Sequence, residues 1–149
     1  MKTALKYGLL ITAGIIAWVV MAHLLVPNPC SAVHVLGPIV FFNLLEISGI
    51  YVGMGARKRD DAGQLQFKAG LKTGMGIALV YGISSCLFFL LFITILGPQA
   101  LCAQPGVVTP PFWQVAAFAF VGQFLGAVFL GLLYSTIIAF ALATRRRVA

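Results

Sequence analysis

Four apolar runs, at about residues 5–26, 35–56, 69–96 and 112–143, leave this chain one way to fold: across a membrane, four times. Each run reaches the roughly 20 residues that a helix needs to cross a hydrocarbon layer about 30 Å thick. Inside lipid a backbone N–H or C=O has no water to bond, so an isolated apolar run satisfies its own backbone as an α-helix. The expected fold is an all-α integral membrane protein, a single membrane domain over 1–149, built as two helical hairpins. Its external connections are 27–34 and 97–111, its cytoplasmic connection is 57–68, and a basic tail follows at 144–149. Composition agrees: 61% of residues are apolar and 9% charged, with a mean hydropathy of +1.04, against an apolar share of about 45–50% in soluble domains.

Proline and glycine punctuate the runs. Pro27, Asn28 and Pro29 stop the first, Gly37-Pro38 opens the second, Gly97-Pro98 ends the third, and Pro110-Pro111 precedes the fourth. Proline suits a first helical turn and breaks an interior. The first run is too long for the h-region of a secretory signal, about 7–15 residues, and is expected to stay as an anchor. The last run would extend for about 48 Å at 1.5 Å per residue, so it must tilt or project from the membrane.

Basic residues orient the bundle. Lys2 and Lys6 precede the first run, Arg57, Lys58, Arg59, Lys68 and Lys72 surround the second connection, and Arg145, Arg146 and Arg147 follow the last run. The first and third connections carry none. Cytoplasmic connections hold the excess of Lys and Arg, so both termini are expected in the cytoplasm. Arg57, Lys58, Arg59, Arg145, Arg146 and Arg147 are the expected contacts to lipid headgroups. The net charge of +7 is absorbed in this way, and nucleic acid is not an expected partner. Helical spans point to an inner or plasma membrane, since outer membranes are crossed by barrels.

Small residues recur at four-residue spacing in Gly49 and Gly53, Gly70 and Gly74, and Gly122 and Gly126. Such faces let helix backbones approach closely where lipid removes the hydrophobic drive for association. They serve either packing inside the bundle or docking in a homo-oligomer or larger membrane complex.

Glu46 is the only acidic residue inside a span, with Asn43 one turn before it. A carboxyl group there is protonated, paired, or turned toward a cavity or another helix, and it is a functional candidate by default. No Lys or Arg lies inside a span to pair with it. Three readings stay open: glue between helices through Asn43, Ser84, Ser85 or Gln123; proton or cation handling; and contact with a partner subunit.

Cys30 and Cys102 stand in the two external connections, where an oxidising compartment favours a disulfide between them. Cys86, inside the third run, is expected to pack as a small apolar residue. His23 and His34 fall near the external surface, but with Cys30 and Cys102 they do not make a recognised ligand spacing, and neither a metal nor a cofactor is expected. Trp18 is mid-span, whereas Trp113 opens the last run as interfacial aromatics do.

The connection from Arg57 to Gly70 is the most distinctive stretch. Asp60 and Asp61 offset part of the basic cluster, Gly63 permits a turn, and Leu65 and Phe67 alternate with polar residues as in a segment lying in the headgroup layer. A second run ending in Ile50-Tyr51-x-Gly53, the basic run into Arg59-Asp60, then Gly63, Phe67, Ala69-Gly70 and Gly74, resembles an uncharacterised bacterial family of four-span membrane proteins, domain of unknown function 4199. The Lys6-Tyr7-Gly8 start and the long last helix with its basic tail extend the resemblance. It implies a four-helix fold and carries no activity. No catalytic residue is expected, because no histidine lies in the bilayer core to serve Ser84 or Ser85 as a base. The expected role is a structural or accessory subunit of a membrane assembly; the alternative is a small oligomeric proton- or cation-linked transporter using Glu46.

Overall fold

The computed structural model describes residues 2–26, 28, 31–97 and 111–143. Four long helices, each long and apolar enough to cross a membrane, make up the described chain: α1 (Lys2–Leu25), α3 (Gly37–Asp60), α4 (Phe67–Leu96) and α5 (Phe112–Leu142), with a one-turn helix α2 (Ala32–Val35) ahead of α3. The protein is therefore a multi-pass membrane protein with an all-α bundle.

Side-chain pairs fix the arrangement. Against α1, α3 runs antiparallel: Gly53 meets Tyr7, Gly49 meets Ile11, and Gly14 meets Leu45. Against α5, α4 runs antiparallel: Gly70 meets Ala139, Gly74 meets Ser135, and Gly82 meets Ala127. These are the two hairpins. They dock with α1 parallel to α4, where Thr12 Oγ1 and Ser84 Oγ share a 2.6 Å hydrogen bond, and with α3 parallel to α5, where Tyr134 Oη donates to Asn43 Oδ1 at 2.7 Å. Ile11, Ile15, Ile50, Met54, Ile77 and Tyr81 form the buried core between them.

The end of α3 and the turn after it depart from the sequence expectation. Helix α3 continues through Arg57, Lys58 and Arg59 to Asp60, so the basic cluster forms its last turn, and Arg57 Nε pairs with Asp61 Oδ2 at 2.9 Å. Cations at a helix C-terminus interact favourably with the dipole and the free carbonyls, which is why charge did not end the helix. The chain turns at Ala62 and Gly63, both at positive φ, and the Gly63 N–H bonds the Lys58 carbonyl at 2.9 Å, closing the end with the 6→1 bond of a Schellman motif. Leu65 is then fully buried against Gly70. It plugs the bundle end instead of lying in a headgroup layer; Phe67, by contrast, is exposed.

Lys58 Nζ reaches the Leu142 carbonyl at 3.0 Å, tying the C-terminal ends of α3 and α5 together. The first turns of α1 and α4 and the last turn of α3 carry Lys2, Lys6, Lys68, Lys72 and Arg57–Arg59. All the described basic residues thus gather at one end of the bundle, the basic end.

Candidate functional site

Glu46 sits nine residues into α3, about 14 Å from its start at 1.5 Å per residue. Its side chain is 2% exposed. It is pressed between helices where α5 contributes Gly131, whose missing Cβ leaves 3.0 Å to Glu46 Oε1 and would strike Ala78 of α4. That glycine is what makes room for the carboxyl group at the crossing.

Among the described residues, the polar neighbours that the sequence offers as glue are bonded elsewhere. Asn43 donates its amide N–H to the Ile39 carbonyl, and its oxygen accepts from the Tyr134 hydroxyl. Ser84 is engaged with Thr12 and the Val80 carbonyl, Ser85 with the Gly82 carbonyl, and Gln123 with Tyr81. Glu46 Oε1 is buried with no hydrogen-bond partner, a state that costs about 1–3 kcal/mol for a neutral polar group.

Glu46 also lines a larger space, although Oε1 itself is closed off from it beside Gly131. A cavity of about 510 Å³ runs from Glu46, Tyr81 and Asn43 to His23 and His34, toward the end of the bundle opposite the basic end. Its walls are aromatic and aliphatic, with Trp18 from α1, Phe42 from α3, and Phe89 and Phe92 from α4. Two further buried polar atoms without partners, Trp18 Nε1 and His34 Nε2, belong to residues that line the same space. The site is a mostly apolar chamber with a few convergent polar groups, within the usual 300–1,000 Å³ of small-molecule pockets.

Helix α5 forms the remaining wall, and there the glycine pairs part company. Gly49 and Gly53 meet α1 and α4, and Gly70 and Gly74 meet α5 and its neighbours, as close-packed glycines should. Gly122 and Gly126 meet nothing: a Cβ at either would find open space, and both line the cavity. Of the two roles that the spacing left open, packing or docking, this pair does not pack against another helix among the described residues. The helices separate there, and Gly122, Gly126 and the exposed Ile39 of α3 form a cleft between α5 and α3.

Other candidates fall elsewhere. Arg57 and Lys58 make the contacts given above and Arg59 is exposed. Cys30, Cys102 and Arg145–Arg147 lie outside the described residues. Cys86 is buried, with its Sγ 3.7 Å from the Phe120 carbonyl. Among the described residues no three His, Cys, Asp or Glu side chains come together as metal ligands would. The aromatic wall was missed in the sequence. Its one signal was Trp18, a mid-span tryptophan away from the interface where such rings gather; it stacks on Phe41 at 4.4 Å and packs over Gly37.

A four-helix membrane bundle with a buried glutamic acid lining a chamber that opens between its helices defines the class of protein. A family profile described as "Protein of unknown function (DUF4199)" matches residues 6–103, and the chain belongs to that family. The match covers α1, α3 and α4, and with them Glu46 and three walls of the chamber. No curated protein and no solved structure matches the chain.

Proposed function

We infer that the protein is a small membrane carrier in which the Glu46 carboxyl group exchanges a proton for a cation in the chamber between α1, α3, α4 and α5. One observation carries this reading: a buried glutamic acid, one carboxyl oxygen of which has no hydrogen-bond partner, is among the residues that line a cavity large enough for a ligand. An ionised carboxylate in the bilayer interior is costly unless a positive charge accompanies it, and no Lys or Arg of the described chain lies near. Glu46 therefore rests as the neutral acid and ionises when a cation takes the proton's place. The exchange balances in charge and atoms: one proton leaves to water as one monovalent cation binds.

An accessory-subunit role, with a second copy or a larger partner docked on Gly122 and Gly126, draws on the same open glycine face. The carrier reading accounts for that face without a partner, because those glycines line the chamber. An enzymatic role finds little support, since Ser84 and Ser85 spend their hydroxyls on backbone carbonyls and Thr12. The basic end is read as facing the cytoplasm of an inner or plasma membrane, where its Lys and Arg side chains meet anionic headgroups instead of nucleic acid.

The test is exchange in proteoliposomes. With a pH-sensitive dye inside and a proton gradient imposed, a panel of monovalent inorganic and organic cations is added outside. The wild type discharges the gradient for at least one member and Glu46→Gln, eluting as a folded protein of the same size, for none. Equal behaviour of the two across the panel overturns the reading.

A further inference from the structure

Resting on the carrier reading, we propose that the chamber takes a lipophilic organic cation, with its charged centre beside Glu46 and its apolar groups against the aromatic wall, and that this ligand reaches the site sideways from the membrane between α3 and α5. The chemistry of the walls selects the class. A dehydrated hard cation calls for a shell of about six or more oxygens, whereas here Glu46 stands beside an amide oxygen already accepting from Tyr134 and a Gln123–Tyr81 pair bonded to each other. What the chamber offers in quantity is ring surface. Aromatic faces attract organic cations within about 6 Å of the ring centroid, the attraction growing as the site is desolvated. One buried carboxyl group matches one positive charge, and the volume suits a molecule of drug size.

The route follows from the glycines. Gly122 and Gly126 leave the α5 wall bare, Gly122 is exposed, and Ile39 across the cleft is 60% exposed on the outer face of α3. In a membrane-spanning helix that outer face meets acyl chains, so a lipophilic cation dissolved in the bilayer meets the cleft without first crossing water. Apart from Glu46, the titratable groups on or against the chamber are His23 of α1, His34 of α2, Tyr81 and Cys86 of α4, and Tyr134 of α5. The two histidines are the ones to separate from Glu46. His34 Nδ1 is held 3.0 Å from Ser31 Oγ and His23 sits edge-on to Phe92 at the far end of the chamber.

The probe is tetraphenylphosphonium, titrated into the full chain in lipid nanodiscs. Trp113→Phe leaves Trp18 as the one indole of a two-tryptophan chain, so emission reports on the chamber. Expected are saturable quenching of Trp18, one proton released per cation bound, and an apparent affinity that rises about tenfold per pH unit while Glu46 is neutral. Glu46→Gln abolishes the proton release and flattens the pH dependence. His23→Gln and His34→Gln keep both. Gly126→Leu, placed where a Cβ meets nothing within 4 Å, weakens binding at least tenfold while the protein elutes unchanged.

Quenching with no proton release, or proton release that survives in Glu46→Gln, overturns the proposal. So does unaltered binding and association rate in Gly126→Leu, which removes the sideways route. If tetraphenylphosphonium does not bind while an inorganic cation still discharges the gradient through Glu46, the substrate class fails and the carrier reading stands. If no cation does either, both fail.

Discussion

Alanine placed at two glycines of identical spacing should have opposite consequences. At Gly74 a Cβ would fall on Met54 Cε and Ser135 Oγ and lie 2.8 Å from Ser135 Cβ. The methionine end can swing away; the Ser135 Cβ is fixed to the α5 backbone, so α4 and α5 must separate by several tenths of an ångström. Overpacking of that kind costs about 1–3 kcal/mol. At Gly126 the new methyl meets nothing within 4 Å, and the exchange is left with the helix preference for alanine, up to about 1 kcal/mol in its favour. The same preference accompanies Gly74→Ala, so it cancels in the comparison. The two variants should differ by about 1–3 kcal/mol, or about five- to 150-fold in their unfolding equilibrium constants. Reversible unfolding in mixed micelles, followed by circular dichroism, measures the difference directly. Equal stabilities, or a less stable Gly126→Ala, would refute both the α4–α5 crossing at Gly74 and the open cleft at Gly126.

Three further outcomes follow from the same contacts. Tyr134→Phe removes the 2.7 Å bond to Asn43 that ties α5 to α3 and should cost about 0.6 kcal/mol, at most about 2, the range of hydrogen bonds between membrane helices; micellar unfolding checks it. Thr12→Val and Ser84→Ala, which break the 2.6 Å α1–α4 bond, should show a coupling energy of that order in a double-mutant cycle, and strict additivity would contradict the contact. A cysteine at Gln64, in the turn at the basic end, should be shielded in intact cells from a thiol reagent that cannot cross membranes; labelling there would reverse the orientation.

The four helices were legible because length and hydropathy alone demand them: no other structure satisfies so long an apolar backbone in lipid. The end of α3 was not, because Arg57-Lys58-Arg59 reads as a solvated connection until the helix dipole is weighed against it. Nor could the chamber be read. The helices are apolar on nearly every face, so no stripe distinguishes core from lipid, and the spacing of Gly122 and Gly126 is that of Gly70 and Gly74. Spacing names a thin face; what lies opposite depends on where two helices diverge. Glu46 stood out as an expensive group, but its loss of Asn43 to Tyr134, and its place over Gly131, belong to the packing of α3 on α5.

The central claim is that Glu46 holds a proton in the empty chamber and yields it to a cation. Infrared difference spectroscopy on the reconstituted protein reads that proton through the carbonyl stretch of a neutral carboxyl group. On addition of tetraphenylphosphonium the band should vanish in the wild type, with a carboxylate band appearing in its place, and both changes should be missing in Glu46→Gln. A neutral-acid band that persists with the chamber occupied, or a carboxylate band seen before any cation is added and missing in Glu46→Gln, would contradict the account.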